Sequence, residues 1–316
     1  MKLIIQIPCY NEEKTLPETV AAIPREYAGI DETELLVIDD GSDDNTAEVA
    51  RKIGVHHIVR LTSNKGLAGS FSAGIDACLK LGADIIVNTD GDNQYNAEDI
   101  GRLIEPIVSG RADMVVGDRE VMQVEHFSFL KKRLQKLGSW VVQQVSGTTV
   151  PDVTSGFRAF SREAALRLHV ISQFTYTLET IIQAGKKSIP VAHVPVRTNR
   201  PTRPSRLFKS VFSYIKQSGG TIARIYALYE PLKTFLYIGG AIFGLGMIIS
   251  LRFLYFYIIQ QGEGHIQSLI LAAVLMIVGF QVGMIGLLAD IISANRRLIE
   301  DILYRMKKRE THRDTD

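Results

Sequence analysis

The chain has 316 residues, 46% of them hydrophobic and 22% charged, with a net charge of +2 at pH 7. This length exceeds that of an average single domain, and so small a net charge gives no reason to expect nucleic-acid binding. The two cysteines, Cys9 and Cys78, provide neither a disulfide framework nor a zinc-ligand spacing. Cys9 ends a predicted buried strand, and we expect it to be a reduced structural thiol. We expect no signal peptide, because the first apolar run is short and acidic residues follow it.

The first 119 residues alternate apolar strands with helical patterns. Five strands are predicted, at residues 3–8, 34–40, 56–62, 83–90 and 112–119. Apolar strands separated by helices predict a parallel sheet that is covered on both faces. Right-handed crossovers make it a doubly wound α/β sheet.

A polar segment follows each of these strands. In chain order the segments are "PCYNE", "DDGS", "NKG", "DGD" and "GDR". Because such sheets bind ligands at the carboxyl ends of their strands, the segments predict one ligand site along that edge. The sequence lacks G-x-G-x-x-G after the first strand and lacks a P-loop motif, which disfavours a dinucleotide-binding protein and a P-loop NTPase.

Two carboxylates, Asp90 and Asp92, end the fourth strand, and Gln94 follows them. Carboxylate and amide oxygens suit Mg²⁺ or Mn²⁺, which keep open positions for phosphate oxygens. A bound divalent cation would remove the repulsion between the carboxylates and attract a diphosphate. A polar turn that caps the next helix explains the same residues without a metal.

The first two strand ends carry groups that can hold a nucleotide. Asp39 and Asp40 can accept hydrogen bonds from a base or a ribose, although an Asp-Gly turn alone explains them equally. The segment "PCYNE" offers an aromatic face, an amide and a carboxylate, and its alternative is a plain strand-to-helix turn.

Two C-terminal stretches, 234–251 and 266–289, carry no charge. A membrane-spanning helix needs about 20 apolar residues, so two transmembrane helices are predicted; two buried helices of a soluble domain are the alternative. The loop "QGEGH" at 261–265 lacks Lys and Arg whereas both outer flanks carry them, which predicts that the flanks lie in the cytoplasm. Arg252, near one apolar end, can extend its charged group to the interface. Each stretch contains G-x-x-x-G, at 240–244 and 279–283, a helix-packing motif.

Six segments together resemble the family 2 glycosyltransferases of the GT-A fold. They are "IPCYNEEKTL", "LLVIDDGSDDNT", "NKGLAGSFSAGI", "DIIVNTDGDNQYNAEDI", "MVVGDRE" and "DVTSGFRAFSREA", in the expected order over roughly residues 3–170. The two membrane helices narrow the resemblance to the polyprenyl-phosphate glycosyltransferases, such as dolichyl-phosphate mannose synthases and undecaprenyl-phosphate glucosyltransferases. Asn96 departs from the family, which often has a proline there.

The resemblance implies a role for each matching position. The nucleotide sugar would be held by residues of the first, second and fourth strand ends, which are Pro8, Tyr10, Asn11, Glu12, Asp39, Asp40 and Asp90. The metal would be held by Asp90, Asp92 and Gln94. Asp92, Asp152 and Arg119 would carry the chemistry, with Asp152 either a weak base or an orienting group; a turn aspartate is the alternative.

The acceptor implied by the resemblance is a lipid phosphate, which needs cations. Candidate cations are Arg119, Arg133, Arg158 and the run at 197–209, within which Arg200 and Arg203 precede the membrane segment. The same run can equally be a patch facing lipid headgroups. Glu179 is a candidate for facing the sugar, and a solvated or capping position is its alternative.

The resulting prediction is an integral membrane enzyme with four parts. They are a GT-A catalytic domain at 1–205, juxtamembrane amphipathic helices at 206–231, two transmembrane helices within 232–294 (about 234–259 and 266–289) and a basic cytoplasmic tail at 295–316. The enzyme would transfer a hexose, with inversion, from a nucleoside diphosphate sugar of the GDP-mannose or UDP-glucose type to a dolichyl or undecaprenyl phosphate, using Mg²⁺ or Mn²⁺. Its site would lie at the cytoplasmic face of the cell membrane or an ER-type membrane, and its membrane helices allow association of protomers.

Four other functions remain as alternatives or are disfavoured. A catalytically silent sugar-nucleotide sensor or scaffold, or a family 2 transferase with a different acceptor, fits the same motifs. A processive polysaccharide synthase is rejected because the sole tryptophan, Trp140, lies outside a Q-x-x-R-W motif. A nucleotidyltransferase fits the sheet edge but not the C-terminal half.

Overall fold

The structure is a computed structural model that describes residues 1–120, 129–171, 175–199, 211–259 and 266–313. The chain divides into two compact units. The first comprises Met1–Ile222 together with Leu303–Asp316, and the second comprises Ala223–Ile302.

The first unit is built on a seven-stranded sheet. Its strands are β1 (Lys2–Cys9), β2 (Glu32–Asp39), β3 (His57–Arg60), β4 (Ile85–Asn88), β5 (Met114–Asp118), β6 (Arg158–Ser161) and β7 (Val191–Pro195). Its helices are α1 (Leu16–Ala22), α2 (Thr46–Lys52), α3 (Gly66–Lys80), α4 (Ile100–Val108), α5 (Phe129–Ser146), α6 (Arg162–Arg167) and α7 (Thr177–Lys186). Helices α8 (Val211–Tyr229), α9 (Pro231–Ile259) and α10 (Ile266–Arg313) follow.

The strand order is β3-β2-β1-β4-β6-β5-β7. All neighbouring strands are parallel except β6, which pairs antiparallel with both β4 and β5. The mostly parallel, doubly wound sheet expected from the sequence is confirmed, and all five predicted strands form. The sequence reading missed β6 and β7, because each has only four or five residues and no apolar run.

The central strands are buried on both faces. Along β1, Leu3, Ile5 and Ile7 belong to one core cluster, and the intervening Ile4 is also fully buried. This explains why the strand is a continuous apolar run rather than an alternating one. Burying each such side chain stabilises the fold by about 1.5–3 kcal/mol. Cys9 is a free, buried thiol, as expected, and Cys78 is also free and buried.

Helix α3 packs closely on the sheet at Gly74. A Cβ at this position would lie 2.8 Å from Ile38 Cδ1 and would also overlap the Gln6 side chain. The missing side chain therefore allows the helix to approach β1 and β2. This contact positions the N-terminus of α3 next to the carboxyl end of β2.

The end of α10 packs on the first unit. The Tyr304 hydroxyl donates to Glu163 at 2.9 Å, and Lys307 Nζ lies 2.6 Å from Asp76 Oδ1. Arg162 Nη2 donates to the carbonyl oxygen of Thr311 at 3.2 Å. Residues 295–313 of the predicted basic tail are thus part of a long helix, and from Leu303 onward this helix belongs to the first unit.

In the second unit, α9 and α10 are long and apolar enough to span a membrane. Their most apolar windows have mean hydropathies of 2.0 and 2.4, and only 6% and 17% of those windows are buried. So little burial is the opposite of what two core helices of a soluble domain would show.

Glycines form the contact between these two helices. A Cβ at Gly239 would lie 2.6 Å from the Gly279 carbonyl oxygen and 3.0 Å from Gly283 N, whereas Gly240 and Gly244 have open space. The predicted motif at 279–283 therefore packs against a partner helix, and the motif at 240–244 does not.

Candidate active site

The loops after β1 and β2 are joined by hydrogen bonds. Asn11 adopts φ +56°, its N–H donates to Ser42 Oγ at 3.0 Å, and its Oδ1 accepts from Asp43 N at 2.9 Å. The Glu12 N–H donates to Thr46 Oγ1 at 2.9 Å. These hydrogen bonds fix the "PCYNE" segment beside the "DDGS" segment, so that the two segments lie side by side at the carboxyl ends of β1 and β2.

Asp39 and Asp40 are buried and shape the adjoining loops. Asp39 Oδ1 accepts from Ser42 N at 2.9 Å, and its Oδ2 lies 3.2 Å from Arg60 Nε. Asp40 accepts from Lys65 N at 2.7 Å and from Gly66 N at 2.9 Å, the residues at which α3 begins. Both carboxylates thus accept hydrogen bonds from backbone N–H groups. The sequence predicted contact with a base or ribose for Asp40, and it did not predict that Asp40 accepts from the start of α3.

Asp90 and Asp92 follow β4 directly. Asp92 accepts from Gln94 N at 3.3 Å and from Gln94 Nε2 at 2.9 Å, so in this arrangement the amide orients Asp92. Asn93 between them has φ +56°. Asn96 Oδ1 accepts from Glu98 N at 3.0 Å, so it caps the next turn in place of the family's proline.

The donor set fits a hard divalent cation bound by few protein ligands. Across the part of the chain that the structure describes, no three His, Cys, Asp or Glu side chains converge on one point. Asp90 and Asp92 supply the carboxylate oxygens that Mg²⁺ and Mn²⁺ prefer. With two protein carboxylates, the remaining positions would be taken by substrate phosphate oxygens or water, as is usual for Mg²⁺ sites.

Arg119 and Asp152 form a buried, bidentate ion pair. Arg119 Nε donates to Asp152 Oδ2 at 2.6 Å, and Nη2 donates to Oδ1 at 3.0 Å and to Thr154 Oγ1 at 2.8 Å. Burial alone would raise the pKa of Asp152, but the Arg119 charge and hydrogen bonds outweigh it and hold this pKa below its ordinary value. Burial would lower the pKa of Arg119, yet Asp152 keeps it raised.

This pairing limits what Asp152 can do. A carboxylate with a lowered pKa that already accepts two guanidinium hydrogen bonds is a poor proton acceptor. Of the two roles expected from the sequence, orientation fits this geometry and base catalysis does not. Arg119 keeps 15% of its side chain exposed, so it remains within reach of a ligand.

Two weaker expectations were wrong. Arg158 is fully buried and donates to the carbonyl oxygens of Ser155, Val153 and Thr177, so it cannot meet an acceptor phosphate. Burial lowers its pKa to about 10, which still leaves it charged at neutral pH. Glu179 is also buried, and its carboxylate accepts from Ile171 N at 3.1 Å, so it does not face a sugar.

Three predicted phosphate-binding arginines are not tested by this geometry. Arg200 and Arg203 lie outside the described residues, and of Arg133 only its place in α5 is described.

The sequence reading also missed a buried polar cluster next to Asp90, formed by Gln6, Asn88, Tyr95 and Tyr176. Its signal was present in the sequence: "LIIQIP" and "DIIVN" each place one amide in an otherwise apolar strand, and a buried amide needs a partner.

A doubly wound, mostly parallel sheet with two carboxylates after its fourth strand is the arrangement of a GT-A transferase. Residues 4–168 match the family described as "Glycosyl transferase family 2", and the chain belongs to that family.

Two of the similar proteins carry names that specify a polyprenyl-type phosphate as the acceptor. The UDP-N-acetylglucosamine–dolichyl-phosphate N-acetylglucosaminyltransferase of Methanococcus voltae is 30% identical over 216 residues, which cover 61% of this chain and 83% of that protein. The polyprenol monophosphomannose synthase of Mycolicibacterium smegmatis is 27% identical over 206 residues, covering 62% and 76%. The resemblance to the polyprenyl-phosphate members of the family is thereby confirmed.

A solved structure supports the fold. The glucosyl-3-phosphoglycerate synthase of Mycobacterium tuberculosis, in complex with Mn²⁺, UDP and glucosyl-3-phosphoglycerate, aligns with a TM-score of 0.51 at 18% identity. The alignment covers 72% of this chain and 79% of that one. At this identity it shows a shared GT-A fold and nothing about substrates.

Proposed function

We propose that the protein transfers a hexose from a nucleoside diphosphate sugar to a polyprenyl phosphate, with inversion at the anomeric carbon. The observation that carries the proposal is the carboxylate pair Asp90 and Asp92 on the same sheet edge as the Arg119–Asp152 ion pair, in a chain that also has two helices able to span a membrane. The relatives' named reactions on dolichyl and polyprenyl phosphates support it.

The nucleotide would bind along the ends of β1 and β2. Pro8 lies near the end of β1, and Tyr10, Asn11 and Glu12 lie in the segment that follows it. Hydrogen bonds from Asn11 and Glu12 fix this segment beside the one that follows β2. Asp39 and Asp40 both already accept backbone N–H groups. We therefore expect their main role to be holding the loops that surround the base and ribose, and direct binding of the nucleotide to be their lesser role. A pre-formed loop reduces the ordering that binding must impose.

Asp90 and Asp92 would hold Mg²⁺ or Mn²⁺ together with Gln94, whose Nε2 also donates to Asp92. A divalent cation on the leaving diphosphate neutralises the charge that develops there. The protein's own contribution is to hold both carboxylates at a strand end, which is more rigid than a long loop.

The acceptor phosphate needs no strong base. A phosphate monoester has a second pKa of about 6 and is already anionic near neutral pH, so it can attack the anomeric carbon once the two anions are aligned. Arg119, held by Asp152, would offset their repulsion from one side. Arg133, Arg200 and Arg203 are the further cations we propose for the lipid phosphate.

The sequence also supports a cytoplasmic active site. Lys and Arg lie on the outer flanks of the two uncharged stretches and are missing from the loop at 261–265, the asymmetry that the positive-inside rule uses. Arg252, near the end of the first apolar segment, can extend its charged group to the interface. The domain boundaries at 1–205, 206–231, 232–294 and 295–316 remain part of this proposal.

The test is a panel of nucleotide sugars supplied to membranes that contain the full-length protein. Radiolabelled GDP-mannose, UDP-glucose and UDP-N-acetylglucosamine are each incubated with undecaprenyl or dolichyl phosphate and Mn²⁺, with and without EDTA. We expect one sugar to enter the lipid fraction and EDTA to abolish this. Nucleotide binding without transfer to any lipid phosphate would instead support a sensor.

A further inference from the structure

Four buried polar side chains surround one glycine, Gly156. Asn88 Nδ2 donates to the Gly156 carbonyl oxygen at 2.9 Å, and the Tyr176 hydroxyl donates to the same oxygen at 3.1 Å. The Gly156 N–H donates to the Tyr95 hydroxyl at 2.9 Å, and Gln6 Nε2 donates to Asn88 Oδ1 at 2.8 Å. Both backbone polar groups of this glycine are therefore fixed by side chains that are at most 6% exposed.

Gly156 lies in contact with Asp90. A Cβ at Gly156 would lie 3.3 Å from each of the two carboxylate oxygens of Asp90 and 3.0 Å from the Tyr176 hydroxyl. A methyl group there would have to displace one of these neighbours. The absence of a side chain thus allows the peptide to approach the carboxylate this closely.

We propose that Asn88 and Tyr176 are positioning residues that act through Gly156, holding its peptide against Asp90 and so fixing the carboxylate for a divalent cation. This inference rests on the proposed function, in which Asp90 is a ligand of that cation. It concerns residues that do not themselves touch the cation.

The local structure suits such a role. Asn88 ends β4, two residues before Asp90 in the chain, so its position is fixed by the sheet. The Tyr176 ring stacks on Phe71 of α3 with centroids 3.9 Å apart. Groups that support metal ligands commonly change metal affinity about 10- to 100-fold when they are mutated. A cluster with only a packing role would change stability and leave cation affinity as it was.

The experiment measures Mn²⁺ affinity directly on full-length protein in detergent, by titration with free Mn²⁺ followed by electron paramagnetic resonance. Gly156→Ala and Tyr176→Phe are compared with wild type. Tyr27→Phe is the matched control, because its partly buried side chain packs on the core next to Gly101 of α4 and its buried hydroxyl has no hydrogen-bond partner to lose among the described residues. Asp90→Asn serves as the reference for a lost ligand, and thermal unfolding verifies that each variant is folded.

We expect Gly156→Ala to weaken Mn²⁺ binding about 10-fold. Tyr176→Phe should show a smaller loss in the same direction, because Asn88 still donates to Gly156, and excess Mn²⁺ should restore its transfer rate. Tyr27→Phe should bind Mn²⁺ as wild type does. If Gly156→Ala does not fold, Tyr176→Phe decides alone.

Wild-type Mn²⁺ affinity in folded Gly156→Ala, or no difference between Tyr176→Phe and Tyr27→Phe, would overturn the inference. If the wild type binds no Mn²⁺, or if Asp90→Asn binds it equally well, the assignment of Asp90 fails and the inference fails with it. If Asp90→Asn loses binding while the positioning variants keep it, only the inference is wrong.

Discussion

The two halves of the sheet edge use carboxylates in different ways. At the ends of β1 and β2, Asp39 and Asp40 accept backbone N–H groups and give the loops their shape. At the ends of β4 and β5, Asp152 pairs with a guanidinium and Asp90 lies against a glycine peptide. In the first half the carboxylates hold loops through backbone N–H groups, and Asp39 also lies 3.2 Å from Arg60 Nε. In the second half Asp152 neutralises a guanidinium that is itself largely buried.

This difference predicts different consequences of mutation. A carboxylate that accepts backbone N–H groups contributes to stability and to nucleotide binding together, because the loop it holds is the binding surface. A buried carboxylate that neutralises a cation contributes to stability through that cation. A carboxylate next to the proposed cation should contribute to the reaction rate with little effect on folding.

The largest effect on stability should come from breaking the buried ion pair. Asp152→Ala leaves Arg119 buried without its counter-charge, which costs about 3–5 kcal/mol of unfolding free energy. Denaturant unfolding of the detergent-solubilised protein measures this. The double variant Arg119→Met, Asp152→Leu is the control: it should regain most of the stability and none of the activity.

The pH dependence of this pair has a definite sign. The folded-state pKa of Asp152 is lowered, so its stabilisation is fully present above the ordinary Asp pKa of about 3.9 and is lost as pH falls through the lower folded value. The melting-temperature difference between wild type and Asp152→Asn should therefore be equal at pH 8 and pH 5. A difference that shrinks between those two values would contradict the assigned direction.

The next largest effect should be on transfer rate alone. Asp92→Ala should lower the transfer rate at least about 100-fold, because an electrostatic group at the reacting charge is lost. Membrane insertion and melting temperature should stay as in wild type. Near-normal turnover would remove Asp92 from the catalytic assignment, and Glu98→Ala, an exposed carboxylate of the same segment, is a suitable control.

A moderate, mixed effect should follow from Asp40→Ala. It removes the acceptor of both Lys65 N and Gly66 N at the start of α3, and losing such a cap costs about 1 kcal/mol. The KM for the nucleotide sugar should rise while kcat changes less. If kcat alone fell, the contrast drawn between the two halves of the edge would be wrong.

The smallest effect should come from the C-terminal end of α10. Lys307→Ala removes a partly exposed ion pair with Asp76, which should cost less than about 1 kcal/mol. Added salt should change the melting temperature of this variant less than it changes that of the wild type. Arg309→Ala, on an exposed position of the same helix, should show no such change.

The sequence alone determined the features that depend on local pattern. Apolar runs with helical segments between them predicted five strands of the sheet, and the polar segments that follow those strands predicted its functional edge. The uncharged stretches predicted both long apolar helices. These features could be read directly because burial on two faces and the length of a membrane span each leave a periodic or contiguous signature.

Only the tertiary structure decided which side chains meet. Arg119 and Asp152 are 33 residues apart in the chain, and nothing in their spacing predicts a bidentate pair. The sequence predicted that Arg158 could bind a phosphate, but the side chain is fully buried. The position of Gly156 in the chain does not predict that it lies next to Asp90. The physical reason is that long-range pairing depends on strand order, here on the insertion of antiparallel β6 between β4 and β5, which four residues of sequence do not specify.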